Sequence, residues 1–116
     1  MSDKRIRRIA EEIKKTVSSL ILKDLKDPRI DQMASITHVE VSRDYSIAKI
    51  YVSTFDQDLM EGTVDGLNSA KGFIKRELSK DLKLRIMPDL IFLSDDSIAK
   101  SFELYDILNK VQKEEK

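Results

Sequence analysis

The sequence predicts a single α+β domain in which helices cover one side of a three-stranded sheet, in the order α-β-β-α-α-β-α. Its 116 residues suffice for one hydrophobic core and are too few for two domains. Apolar residues recur at helical spacing in four segments and alternate with polar residues in two short segments between them. We therefore expect residues 1–116 to form one domain, with a polar tail from about residue 111.

The first element is a long amphipathic helix. Its apolar positions follow the i, i+3, i+4, i+7 pattern and comprise Ile6, Ile9, Ala10, Ile13, Val17, Leu20 and Ile21. Ser2 or Asp3 can cap its first turn. Asp27-Pro28-Arg29 is expected to end the element, because the residue before a proline is pushed out of the helical region.

Two strands follow and are expected to form an antiparallel hairpin, because only a short turn at 42–45 separates them. The first covers 34–42, and alternation predicts that its buried face consists of Thr37, Val39 and Val41. The second covers 46–54, and its buried face is predicted to consist of Ala48, Ile50 and Val52. Lys49 and Tyr51 should point to the opposite face.

Two helical segments meet in the second half of the chain. The first runs from about Leu59 to Ala70, and a stronger second helix ends near Lys83. Ala70 and Gly72 carry almost no side chain, so another backbone or a phosphate can approach this joint closely. We predict a kink at Gly72 that resists β-branched residues, and a buried Phe73 just after it. The alternative interpretation is a plain helix kink with a solvated face.

The third strand lies within 84–94, and Pro88 marks its start or an edge position because proline cannot donate to a ladder. Asp95-Asp96-Ser97 is predicted to cap a last helix, whose apolar positions are Ile98, Phe102, Tyr105, Leu108 and Val111.

Charge is balanced overall and uneven along the chain. There are 21 basic and 21 acidic residues, which argues against a protein held on nucleic acid by bulk charge alone. Segments 4–15 and 71–85 each hold six basic residues against two acidic ones. Acids gather elsewhere, at Asp56, Asp58, Glu61 and Asp65, and again at Asp95, Asp96, Glu103 and Asp106. Two basic patches on a neutral chain suit the binding of one specific surface.

Residues that carry chemistry are scarce. The chain has no cysteine and a single histidine, His38, so no metal-ligand set is apparent. It has neither a dinucleotide-binding glycine motif nor a Walker loop. Asp95-Asp96 fits a helix cap better than a pair of catalytic carboxylates. We therefore expect no catalytic residue, no cofactor, no metal and no membrane span.

Six short motifs lie along nearly the whole chain. Each is short, but their order and spacing together are specific. They are Arg5-Ile6 through Ile13, Lys26-Asp27-Pro28-Arg29, Val39-Glu-Val-Ser-Arg-Asp44, Ala48-Lys-Ile-Tyr-Val-Ser53, Ala70-Lys-Gly-Phe-Ile-Lys-Arg76 and Leu84-Arg-Ile-Met-Pro-Asp-Leu90. In this arrangement the chain resembles the bacterial ribosome-binding factor A family. The resemblance implies a type II KH-like fold in which Ala70-Lys71-Gly72 forms an Ala-x-Gly kink instead of the usual G-x-x-G loop.

The resemblance also implies a function. Members of this family are non-catalytic assembly factors that bind the free small (30S) ribosomal subunit and its 16S rRNA late in maturation. They aid processing of the 5′ end of that RNA and are linked to cold adaptation. A small GTPase releases them in some bacteria, and an initiation factor can displace them. A cytoplasmic monomer is therefore expected.

The candidate RNA-binding residues come from the two basic segments and the turns between elements. They are Arg5, Arg8, Lys15, Arg29, Arg43, Lys71, Gly72, Lys75, Arg76, Lys80, Lys83 and Arg85. The physical reason is that free backbone N–H groups at a helix start, with lysine and arginine beside them, seat a phosphate. One alternative is a protein-interaction module of KH-like fold that uses the sheet face or the first helix and does not bind RNA. A small enzyme using Asp95 or Asp96 is the third hypothesis.

Overall fold

The computed structural model describes residues 3–96, and their helices and strands follow the predicted order. They are α1 (Asp3–Lys23), β1 (Ser35–Val41), β2 (Ile47–Ser53), one turn of 3₁₀ helix (Gln57–Leu59), α2 (Met60–Ser69), α3 (Lys71–Asp81) and β3 (Asp89–Ser94). The last helix and the polar tail that the sequence predicts lie outside the described residues.

The three strands form one sheet in the order β1-β2-β3. The β1 and β2 strands pair antiparallel as predicted, with Val39 opposite Ile50. The β2 and β3 strands pair parallel, with Ala48 opposite Leu90. Parallel neighbours require a crossover connection, and α2 and α3 provide it here.

The hydrophobic core lies between the sheet and the helices. Side chains from every layer are almost fully buried there, among them Ile13, Val17, Ile50, Leu67, Leu78 and Phe92. The α1 helix contacts β1 and α3, and α2 contacts β3. This arrangement confirms the predicted α+β architecture and brings the two basic segments of the sequence next to each other.

The first strand contains a β-bulge that its alternation did not reveal. Ile36 pairs with Val52 and His38 pairs with Tyr51, so Thr37 is the extra residue on β1. Thr37 is exposed, and its hydroxyl donates to the Tyr51 carbonyl at 3.3 Å. Ile36 is buried in its place. The predicted inward position of Thr37 was therefore wrong, whereas those of Val39 and Val41 are confirmed.

The first helix ends earlier than predicted. Its last residue is Lys23, and the amides of Asp24 and Leu25 both donate to the Leu20 carbonyl at 2.8 Å. Asp27-Pro28-Arg29 lies in the loop beyond, so it does not terminate the helix.

The joint between α2 and α3 lies at Ala70. This residue has φ −91° and ψ 3° and is shared by the end of α2 and the start of α3. Gly72 lies inside the first turn of α3, and no glycine among residues 3–96 has a positive φ. The predicted kink therefore lies at Ala70 rather than at Gly72, and the backbone at Gly72 does not require glycine. Phe73 is 39% exposed, because the buried face of α3 consists of Ile74 and Leu78.

An asparagine on α2 pairs with the backbone of β3 at Phe92. The Phe92 amide donates to Asn68 Oδ1 at 3.0 Å, and Asn68 Nδ2 donates to the Phe92 carbonyl at 3.1 Å. One side chain thus satisfies both backbone groups that Phe92 turns away from β2. An unpaired backbone group in such a place is costly.

Replacing Asn68 by alanine should lower the free energy of unfolding by about 2 kcal/mol, because two partly buried backbone groups lose their partner. Urea denaturation of the variant and of the parent measures the difference. Ser69→Ala, at an exposed position of the same helix, is the control. Equal stability of the two variants would contradict this role for Asn68.

Two glycines offer a second comparison, because their surroundings differ. A Cβ at Gly66 would lie 2.7 Å from Cγ1 of the buried Ile30, whereas a Cβ at Gly72 would meet nothing within 4 Å. We expect Gly66→Ala to destabilise the fold by about 1 kcal/mol or more, because overpacking outweighs the gain in helix propensity. Gly72→Ala should instead stabilise it, by up to about 1 kcal/mol. Urea melts that move in the same direction for both variants would refute this account.

Candidate nucleic-acid interface

A groove of about 800 Å³ runs between α1 and the segment from Glu77 to Leu84. We call it the α1–α3 groove. Five of the candidate RNA-binding residues line it, namely Arg5, Arg8, Lys15, Lys80 and Lys83. They come from the two basic segments of the sequence, which meet because α1 packs against α3.

Carboxylates moderate the positive charge of this groove. Glu12, Asp24, Glu77 and Asp81 also line it. Glu77 forms an ion pair with Lys80 at 2.6 Å, and Asp81 accepts a hydrogen bond from the Thr16 hydroxyl at 3.1 Å. A surface of such mixed charge does not hold a polyanion through bulk attraction. It suits a ligand whose phosphates meet individual cations at defined places.

The position of Arg5 is supported by the hairpin turn. Its guanidinium lies 5.6 Å from the centroid of the Tyr45 ring, within the range of a cation–π contact. Tyr45 has a positive φ of 63°, and the turn around it is tied together by Asp44. The Asp44 carboxylate accepts hydrogen bonds from the hydroxyls of Ser46 and Ser42 and from the Ser46 amide, and these bonds lower its pKa, the Ser46 hydroxyl most of all.

The start of α3 forms a second part of the candidate interface. We call it the α3 seat and define it by Lys71, Gly72, Lys75 and Arg76. No side chain caps this helix, and its first turn contains no acidic residue, so its first backbone N–H groups have no capping partner. The space around the Gly72 Cα is open. Lys71 and Arg76 are exposed, and Lys75 Nζ lies 3.3 Å from Asp89 Oδ1 at the surface. These features together suit a phosphate.

Arg29 is the candidate residue whose surroundings differ most from expectation. Its side chain donates to both carboxylate oxygens of Asp27, with Nη2 2.7 Å from Oδ2, and its amide donates to Oδ1 at 2.9 Å. The side-chain hydrogen bond is the main reason why the pKa of Asp27 is lowered. At pH values above the ordinary pKa of aspartate, this pairing contributes its full stabilisation of the fold. That stabilisation is lost as the pH falls through the lowered pKa of Asp27. Arg29 is thus already occupied, and it does not line the α1–α3 groove.

The two remaining candidates are exposed in turns. Arg43 lies in the turn between β1 and β2, and Arg85 lies between α3 and β3. Neither lines the groove.

Sequence reasoning missed several polar neighbours of the candidate residues. Thr16 and Ser19 line the groove, and Tyr45 lies beneath Arg5. The sequence does indicate Thr16 and Ser19. They continue the three- and four-residue spacing of Arg5, Arg8, Glu12 and Lys15 on one face of α1. Tyr45 had no such signal, since only tertiary packing places it there.

Other kinds of site find little support in the part of the chain that the structure describes. Residues 3–96 contain no group of three His, Cys, Asp or Glu side chains able to hold a metal ion. Over the same range, no helix combines the length and the apolar character that crossing a membrane requires. His38 is exposed, and its ring centroid lies 5.8 Å from that of Tyr51.

Comparisons with known proteins agree with the architecture. Residues 5–108 match the family model described as ribosome-binding factor A. The ribosome-binding factor A of Clostridium tetani is 46% identical over 116 residues, which covers 99% of this chain and 96% of that protein. The crystal structure of ribosome-binding factor A from Thermus thermophilus is similar, with a TM-score of 0.67 and 26% identity over 77% of this chain and 94% of that one.

A second similar structure is a model of the Thermus thermophilus factor fitted into a cryo-electron-microscopy map of a complex with 30S. Its TM-score is 0.60 and its identity 27%, over 72% of this chain and 88% of that one. The family match along most of the sequence and the shared fold lead to the same conclusion as the motifs of the sequence. The chain belongs to the ribosome-binding factor A family.

Proposed function

We propose that the chain is a non-catalytic assembly factor that binds the free 30S ribosomal subunit, with the α1–α3 groove and the α3 seat contacting 16S rRNA. The observation that carries this proposal is the meeting of Arg5, Arg8 and Lys15 with Lys80 and Lys83 in one groove. Family membership supports it, as does the complex with 30S described for the Thermus thermophilus relative.

The chemistry of the two surfaces fits structured RNA better than other ligands. Folded RNA is recognised largely by its shape, its phosphates and its 2′-hydroxyls. Individually placed lysine and arginine side chains suit phosphates, and hydroxyls such as that of Thr16 suit the sugar edge. Because the chain has no net charge, its binding to non-specific RNA should be weak, so that affinity depends on the shape of one site.

The finer role follows the family. The chain acts late in maturation of the subunit, aids processing of the 5′ end of 16S rRNA and supports growth in the cold, when misfolded RNA resolves slowly. It works in the cytoplasm as a monomer and is released by a GTPase. Cells that lack the chain should accumulate 16S rRNA with unprocessed 5′ ends at low temperature. Normal 5′ ends under these conditions would contradict this role.

Gly72→Val tests the α3 seat without changing any charge. A valine side chain at this position would occupy open space at the first turn of α3, and we expect it to hinder the close approach of a phosphate there. We expect the affinity for purified 30S subunits to fall at least about tenfold. The midpoint of thermal unfolding should change little, because valine costs the helix no more than glycine does.

The control is Ser18→Val, at an exposed position of α1 that does not line the groove. It should bind as the parent does. Unchanged binding of Gly72→Val would rule out the α3 seat but not the function. A parent chain that does not bind 30S subunits would contradict the function itself.

A further inference from the structure

An exposed apolar patch lies at the open end of the β1–β2 hairpin, and the proposed RNA-binding surfaces do not include it. Phe55 is 86% exposed and Met33 is 72% exposed, and Leu59, four residues after Phe55 in the chain, is 43% exposed. We call these three residues the Phe55 patch. Large apolar side chains that remain together in water are typical of binding surfaces.

The hydrogen bonds of Asp31 show that Phe55 and Met33 are neighbours. The Met33 amide donates to Asp31 Oδ1 at 2.9 Å, and the Phe55 amide donates to Asp31 Oδ2 at 3.3 Å. Ser35 pairs with Ser53, so Met33 and Phe55 each lie two residues beyond the paired ends of the two strands. A single carboxylate therefore fixes the two backbone positions relative to each other.

The turn that carries Phe55 is itself held in place. The Thr54 hydroxyl donates to the Asp56 carbonyl at 2.7 Å, and the Asp58 amide donates to Asp56 Oδ1 at 2.9 Å. The Leu59 amide also donates to the Asp56 carbonyl, at 3.0 Å. The backbone on either side of Phe55 is thus fixed although its ring is exposed. Because this backbone is already ordered, covering the ring should cost little of the conformational entropy that is normally lost when a loop becomes ordered on binding.

The surroundings of the patch are acidic. Asp56 and Asp58 flank it and are exposed, and Asp31 lies beneath it. The stretch from Ser53 to Ala70 contains four acidic residues and no lysine, arginine or histidine. Its charge is therefore opposite to that of the α3 seat. Phosphates are repelled here, whereas cationic side chains are attracted.

We propose that the Phe55 patch is a docking surface for a lysine- and arginine-rich polypeptide segment that carries an apolar side chain. The apolar side chain packs against Phe55 and Met33, while the cations meet Asp56 and Asp58. A fixed aromatic residue is a typical anchor for such an interface, and a lysine can also lie over its ring. This inference does not depend on the proposed RNA contact, because it uses another surface with opposite charge.

The probe is an acetylated hexapeptide of four lysines and two leucines, titrated into the full ¹⁵N-labelled chain and followed by ¹H–¹⁵N correlation spectra. We expect saturable shifts of the amides of Met33, Phe55 and the 56–59 turn, with those of the α3 seat unchanged. The combined variant Phe55→Ser and Met33→Ser should weaken the peptide at least about tenfold. The spectrum of this double variant also reports whether its fold is intact. A separate variant, Asp58→Lys, reverses one charge beside the patch and leaves the apolar residues in place.

Two control peptides separate the contributions, one with glutamate in place of lysine and one with serine in place of leucine. Neither should produce the shifts. The proposal is overturned if the glutamate peptide binds equally well, if the folded double variant retains the parent's affinity, or if the shifts map to the α1–α3 groove. An absence of saturable shifts up to millimolar peptide would overturn it as well.

Discussion

Replacing Lys75 and Arg76 together by glutamate should weaken binding to 30S subunits by about 100-fold. In the proposed interface each side chain makes a charge-assisted contact with phosphate beside α3, and such contacts contribute roughly 1.5 kcal/mol or more each. Reversing the sign also adds repulsion. Titration of labelled chain with purified subunits at fixed salt measures the loss, and circular dichroism shows whether the fold is kept.

The fold should persist in this variant. The ion pair of Lys75 with Asp89 lies at the surface and contributes little to stability, and Arg76 is exposed. Lys14→Glu with Lys26→Glu is the matched control, since it changes the net charge equally at exposed positions outside the candidate set. If the control weakens binding as much as the test variant does, the interaction depends on net charge rather than on the α3 seat.

Phe92→Ala should lower the free energy of unfolding by about 3–5 kcal/mol. Phe92 is 1% exposed in the core beneath α2 and α3, and truncating its side chain leaves a cavity that the surrounding elements cannot easily fill. A loss of this size is a large part of the total stability of a typical domain. Urea denaturation of the full chain measures it.

Phe73→Ala is the matched control, because it removes the same atoms from a side chain that is 39% exposed. Its expected cost is below about 1 kcal/mol. The sequence predicted a buried Phe73, and the two variants test the structural correction directly. Equal losses would mean that Phe73 contributes to the core after all.

The elements themselves were predictable from local patterns. Helical spacing from Ile6 to Ile21 and alternation from Ala48 to Val52 are properties of short segments, so the sequence alone is sufficient to assign them. The bulge at Thr37 was not predictable in this way. A single extra residue shifts the alternation, and only the pairing with β2 reveals where it lies.

The candidate interface was predictable only in part. The two basic segments are visible in the sequence, but the α1–α3 groove exists because α1 packs on α3, which is a tertiary contact. The ion pair between Arg29 and Asp27 could not be predicted either, although it joins residues that are close in sequence. The geometry that occupies the guanidinium depends on how the loop folds.

The most direct test of the central claim is co-sedimentation of the purified chain with 30S subunits, large subunits and assembled ribosomes at two salt concentrations. We predict that the chain sediments with free 30S subunits and that it does so less at high salt. We also predict that it does not sediment with large subunits or with assembled ribosomes. Sedimentation with none of them, or equally with all of them at both salt concentrations, would contradict the proposed function.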